Sequence, residues 1–172
     1  QSVQDISTEP VARLIIDYLL CLYGTRNPKA WTKVNELLLP FDIDEQTRIS
    51  TLRDFNNFFK KEKKKILVGD YQQSLESWFD AADALLEYLG LATLIALSPE
   101  YESETYLTNI IEQLKKIIND FLSQEADLLK ALNSFGHDET VKLLTIHKSK
   151  GLEFHSVILL GIENETFWGQ LE

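Results

Sequence analysis

Near the C-terminal end of the sequence, the stretch TIHKSKGLEF (145–154) concentrates side chains that can do chemistry. Thr145 supplies a hydroxyl, His147 an imidazole, Lys148 and Lys150 ammonium groups, and Glu153 a carboxylate. A hydroxyl, an imidazole and lysines suit the phosphate oxygens of a nucleic-acid strand, where each lysine also releases counterions. Gly151 permits positive φ and a close backbone approach to a nucleotide, and Glu153 beyond it can accept hydrogen bonds from a ribose hydroxyl. On spacing alone, a solvated strand-turn-strand loop accounts for the same residues, because isolated motifs mislead.

The flanks are apolar. VKLLTI (141–146) and SVILLG (156–161) read as short buried strands, which would place the polar loop at a sheet edge, where ligands are met. Together, TIHKSKGLEFHSVILLG resembles motif V of the superfamily 1 DNA helicases of the UvrD, Rep and PcrA type. Thr145, His147, Lys150, Gly151, Leu152, Glu153 and Phe154 match that pattern, and GIENETF (161–167) resembles the loop that follows it. The resemblance implies a nucleotide contact through Gly151 and Glu153 and a contact to single-stranded DNA through Thr145, His147, Lys148 and Lys150. It also implies a parent with two RecA-like motor domains that hydrolyse ATP with Mg2+ and move 3′ to 5′ on single-stranded DNA. The cofactors implied are therefore ATP and Mg2+, and the partners are single-stranded DNA and the remaining motor domains, in a DNA repair setting.

Composition bounds this reading. A chain of 172 residues with 44% hydrophobic content fills one domain and at most a fragment more, and three Trp, six Tyr and nine Phe argue for a folded core. The net charge of -10 is unlike a dedicated DNA-binding domain, so any nucleic-acid contact must be local. The single Cys21 sits in an apolar helical stretch, can form no internal disulfide and favours a reducing, cytoplasmic setting. No apolar run reaches the roughly 20 residues that a membrane helix needs, and no secretory signal opens the chain. The absence of any Met suggests a piece of a longer protein.

The elements that must position the loop are helical. Val11, Leu14, Ile15, Tyr18, Leu19 and Leu22 share one face of a helix bracketed by Pro10 and Gly24. A second helix is expected over 30–39, stopped by Pro40. Helix, NP-containing turn, helix and Pro resemble the segment through which the same helicases enter their inserted helical 2B subdomain. Relatives place a Gly-Ile-Gly phosphate-binding turn next, but this chain has PFDID (40–44), whose aspartates would repel phosphate. Asp44 reads instead as a helix N-cap.

A helix over 45–65 is expected to turn Ile49, Leu52, Phe55 and Phe59 inward and to end in KKEKKK (60–65), a basic run that could meet a DNA backbone, an acidic neighbour or only solvent. Ser74 is a plausible cap for the next helix, which buries Leu75, Trp78, Phe79, Ala82, Leu85, Leu86 and Leu89; Gly90 marks a break and Ser98-Pro99 a stop. Apolar steps of three and four over 107–132 specify a long amphipathic helix with a break near 123–125, which packs on the earlier helices or pairs with a protein partner.

The expected architecture is thus mainly α: a connector (1–8), a multi-helix 2B-like subdomain (9–136), and a strand-loop-strand fragment of a RecA-like α/β motor domain (137–172). No zinc-type spacing, nucleophile elbow or Walker A sequence occurs in the 172 residues, so no metal ligand and no catalytic residue is assigned, and the piece is not expected to hydrolyse ATP alone. Two other classes stay open: a non-catalytic helical module that regulates a repair or recombination protein, and a nuclease-fused recombination helicase with a similar motif.

Overall fold

Helix α2 (Pro10–Tyr23) is buried almost all round: ten of its fourteen residues, Val11 to Leu22 with gaps only at Arg13 and Asp17, are out of solvent. A helix apolar on every side must be the centre of its domain. In the computed structural model, which describes residues 3–24, 26–39, 44–68, 77–125, 127–136, 145–147, 149–151 and 154–160, α2 touches every other helix. These are α1 (Val3–Thr8), α3 (Pro28–Leu38), α4 (Glu45–Val68), α5 (Ser77–Leu97), α6 (Glu104–Glu125) and α7 (Leu128–Gly136). The chain divides into two compact units, Gln1–Asp138 and Glu139–Glu172. The described part is mainly helical, as the sequence periodicity requires.

Local chemistry sets the helix ends. Pro10 and Pro28 open α2 and α3, where the missing N–H costs nothing. The Asn27 side chain accepts from Ala30 N at 3.1 Å, and Asp44 accepts from Thr47 N at 2.9 Å and from Thr47 Oγ1. Asp44 is therefore the N-cap that its position suggested, and the same hydrogen bonds from Thr47 hold its carboxyl below the usual range. At the end of α2, a Cβ on Gly24 would lie 2.5 Å from the Leu20 carbonyl oxygen, so only glycine fits there. Gly90, with φ 70° and ψ 162°, breaks α5 into two helical segments. A one-turn 3-10 helix (Pro99–Glu102) follows α5, and the long apolar stripe is split into α6 and α7 close to the expected break.

Several expectations change. The connector expected over 1–8 contains α1, whose Ile6 is fully buried. Ile49, expected inward, is 57% exposed: the first turns of α4 are solvent-exposed, and helical spacing alone cannot say where a neighbour stops. Ser74 and Leu75 lie outside the described residues, whereas Trp78 is core, with only 1% of its surface exposed. The buried strand expected over 156–161 is absent from 156–160, which have no regular secondary structure and leave Val157, Ile158, Leu159 and Leu160 exposed. A strand needs a paired neighbour for its backbone groups, and among the described residues it has none. The other expected strand falls on 141–146, of which 141–144 lie outside the described residues.

The interior joins through side chains distant in sequence. Trp31 packs on Phe55 and Phe59 with ring centroids 5.7 and 4.9 Å away, and Tyr18 lies 6.2 and 6.0 Å from Phe58 and Phe59. Burial pushes the Cys21 thiol up to about 11, so it is a protonated, inert core residue. Burial also pushes the Asp17 carboxyl up, against the pull of Lys33 and Arg13. No helix among the described residues is long and apolar enough to cross a membrane.

Candidate functional site

The loop after Thr145 coils into a tight turn. The Ser149 amide donates to the Thr145 carbonyl at 3.0 Å, and the Ser149 hydroxyl donates to the Ile146 carbonyl at 2.9 Å. That closure gathers Thr145, His147, Lys150 and Gly151 into one short, solvent-exposed element, with Ser149 spent on holding the turn rather than on display. Exposed imidazole and ammonium groups on one turn form a surface that an anion can meet. Lys148 and Glu153, expected on the DNA and nucleotide sides, lie outside the described residues.

Gly151 has φ +83°, the left-handed conformation that L side chains rarely adopt. A Cβ built on it would have no atom within 4 Å. The demand for glycine here is thus conformational and not a matter of crowding, and the space beside its backbone is open. Beyond it, Phe154 is 38% exposed, and His155 Nδ1 lies 3.3 Å from the Ser156 hydroxyl.

In the helical unit, two polar assemblies escape reading from sequence. Tyr101 accepts from the Val11 amide at 3.2 Å and donates to Glu9 Oε2 at 2.9 Å, while Tyr106 donates to Glu9 Oε1 at 2.8 Å. One carboxylate and one phenol thereby serve the N-terminus of α2, whose N-cap Glu9 makes no side-chain cap of its own. The basic run also divides. Lys63 points inward and donates to the carbonyls of Cys21 and Gly24 at 3.1 and 3.0 Å, and Glu62, only 7% exposed, pairs with Lys65 at 2.7 Å. No local pattern marks Lys63 or Tyr101, because their partners are about 40 and 90 positions away in sequence.

Residues 42–171 match the family model of the UvrD-like helicase C-terminal domain. The exonuclease/helicase subunit RexA of Lactococcus lactis subsp. cremoris is 25% identical over 166 residues, which cover 84% of this chain and 13% of that protein. An ATP-dependent helicase/nuclease subunit of Lactobacillus delbrueckii subsp. bulgaricus is 28% identical over 126 residues, 70% of this chain and 10% of that protein. The RecBCD enzyme subunit RecB of Borreliella burgdorferi is 34% identical over 82 residues, 45% of this chain and 7% of that protein. The chain therefore spans about an eighth or less of the length of these relatives. No solved structure matches.

Proposed function

The chain belongs to the UvrD-like helicase family, matching its C-terminal domain, and from that membership we propose that it is part of an ATP-dependent DNA helicase of the helicase/nuclease kind. The observation that carries this is the extent of the match: it takes in the whole of the 145–154 loop and most of the helical unit.

The loop is proposed to serve two ligands of the parent. Gly151 and Glu153 meet ATP, and Thr145, His147, Lys148 and Lys150 meet the phosphates of single-stranded DNA. The open backbone at Gly151 and the exposed His147 and Lys150 fit those roles. When bound, ATP supplies energy by phosphoryl transfer to water; the chain's own contribution is to orient the nucleotide at one end of a short turn and hold the track at the other. The apolar run 156–160 becomes a strand by pairing with the sheet of the second motor domain, which this reading places elsewhere in the parent along with the phosphate-binding loop and the Mg2+ ligands. Translocation 3′ to 5′ and an intracellular setting in DNA repair or recombination belong to the same proposal.

The test uses the full-length parent. Glu153→Ala is expected to weaken nucleotide use, read as a raised KM for ATP in the DNA-stimulated ATPase reaction; an unchanged ATPase removes the nucleotide assignment. The 172-residue chain by itself is expected to show no Mg2+-dependent ATP turnover. A second reading, a helical module that recruits or regulates without touching DNA, draws on the net charge of -10 and the PFDID turn. Single-strand binding by the parent that is unaffected by His147→Ala and Lys150→Ala would favour it.

A further inference from the structure

Both donors of Ser149 are directed back into its own turn. Its amide meets the Thr145 carbonyl, four residues earlier, at 3.0 Å, and its hydroxyl meets the Ile146 carbonyl, three residues earlier, at 2.9 Å. Each bond closes a ring that contains residue 147, so the backbone that carries the His147 imidazole is fixed from both sides. Two residues after Ser149, Gly151 turns the chain away in the left-handed region, with φ +83°. Ser149 therefore stands between the end of the loop that carries His147 and the end that carries Gly151, and it ties its own position to the first.

The hydroxyl is poorly suited to a ligand of its own. A serine has one O–H to donate, phosphate oxygens only accept, and that proton is already donated to the Ile146 carbonyl. Ser149 is also half-buried, whereas His147, Lys150 and Gly151 around it are exposed. Ile146 itself is 59% exposed, so water can replace the hydroxyl at its carbonyl. Loss of the hydroxyl thus loosens the inner ring and leaves in place the amide bond that closes the wider turn.

We propose that Ser149 is a positioning residue: its hydroxyl clamps the turn, so that a single-strand phosphate at His147 and a nucleotide at Gly151 act on one stiff element. The assignment rests on the loop meeting two ligands in the parent. Two sites on a stiff turn shift together, whereas two sites on a slack turn respond separately. The quantity that Ser149 controls is therefore the coupling between the ligands and not the affinity for either alone.

The test is titration of the full-length parent with labelled oligothymidine, with and without a saturating non-hydrolysable ATP analogue and Mg2+. The ratio of the two dissociation constants is the coupling factor, and reciprocity requires the same factor when the analogue is titrated with and without DNA. Ser149→Ala is expected to bring the factor toward one, by up to about fivefold, the equivalent of one net hydrogen bond. Ser149→Thr, which keeps the donor, is expected to restore it. An unaltered factor in Ser149→Ala overturns the proposal, as does a fall in both affinities at a constant factor, which marks a residue that only holds the loop's shape. Equal loss in the Ala and Thr variants assigns the effect to side-chain volume and overturns the role of the hydroxyl. A factor of one in the unaltered parent overturns the two-ligand reading and this proposal with it, whereas a coupled parent whose Ala variant is equally coupled overturns the role of Ser149 alone.

Discussion

The Lys63 ammonium lies 3.0 Å from the Gly24 carbonyl oxygen, so that α4 supplies the cation that closes the C-terminus of α2. The same nitrogen reaches the Cys21 carbonyl at 3.1 Å and stands 5.8 Å from the Phe59 ring centre. The last carbonyls of a helix have no partner within it and carry the negative end of its dipole, so a partly buried cation there satisfies both demands. α2 has no basic residue in its own last turn, so the cation comes from α4.

Lys63→Met keeps the aliphatic stem and removes the ammonium. It is expected to lower unfolding free energy by about 1–3 kcal/mol, the cost of charge-assisted bonds lost from partly buried carbonyls. Urea denaturation checks this, with Lys60→Met as the control expected to stay within about 0.5 kcal/mol of the unaltered chain. Equal midpoints for the two variants would mean that water replaces the Lys63 contacts at no cost.

Most of the helical unit was legible because its signals are local. The apolar face of α2, the Asp44 cap, the break at Gly90 and the division near 123–125 all follow from spacing within a few turns. Lys63 and Tyr101 were not legible, because each is defined by a partner brought near only by the fold, and the burial of Glu62 depends on the fold in the same way although its ion pair with Lys65 is local. Ile49 shows the limit of periodicity: it belongs to the inward face of α4, yet it lies in a stretch of that helix that stays exposed. In the candidate loop, positive φ at Gly151 could be anticipated from the residue type, while the hydrogen bonds of Ser149 could not. The run 156–160 carries a strand's composition without a strand's partners.

The Glu9 carboxylate makes stability depend on alkaline pH. Its hydrogen bond, followed by desolvation, pushes the Tyr106 phenol up to about 12, and burial first of all raises Tyr101 as well. In the unfolded chain both titrate near the ordinary value of about 10, so above that pH the unfolded state has lost protons that the folded state retains. The stabilisation is complete below about pH 10 and is lost as pH rises toward 12. Tyr106→Phe is therefore expected to be less stable than the unaltered chain near neutrality and to converge with it as pH climbs. Parallel stability curves from about pH 7 to 11 would remove Tyr106 from the linkage.

Gly151 offers the sharpest separation of backbone demand from side-chain contact. Its φ of +83° excludes a β-branched residue, while the open space around it would accept one. In the full-length parent, Gly151→Val is expected to reshape the turn and weaken ATP binding by roughly tenfold, since left-handed strain of about 1–2 kcal/mol is comparable to the 1.4 kcal/mol that separates tenfold steps in affinity. Gly151→Asn, whose side chain tolerates that conformation, should lose much less. Titration with a fluorescent ATP analogue reads the order directly: Gly above Asn above Val supports a turn held open for nucleotide. Equal affinity in all three would mean that nothing bound by the parent depends on the backbone at this position.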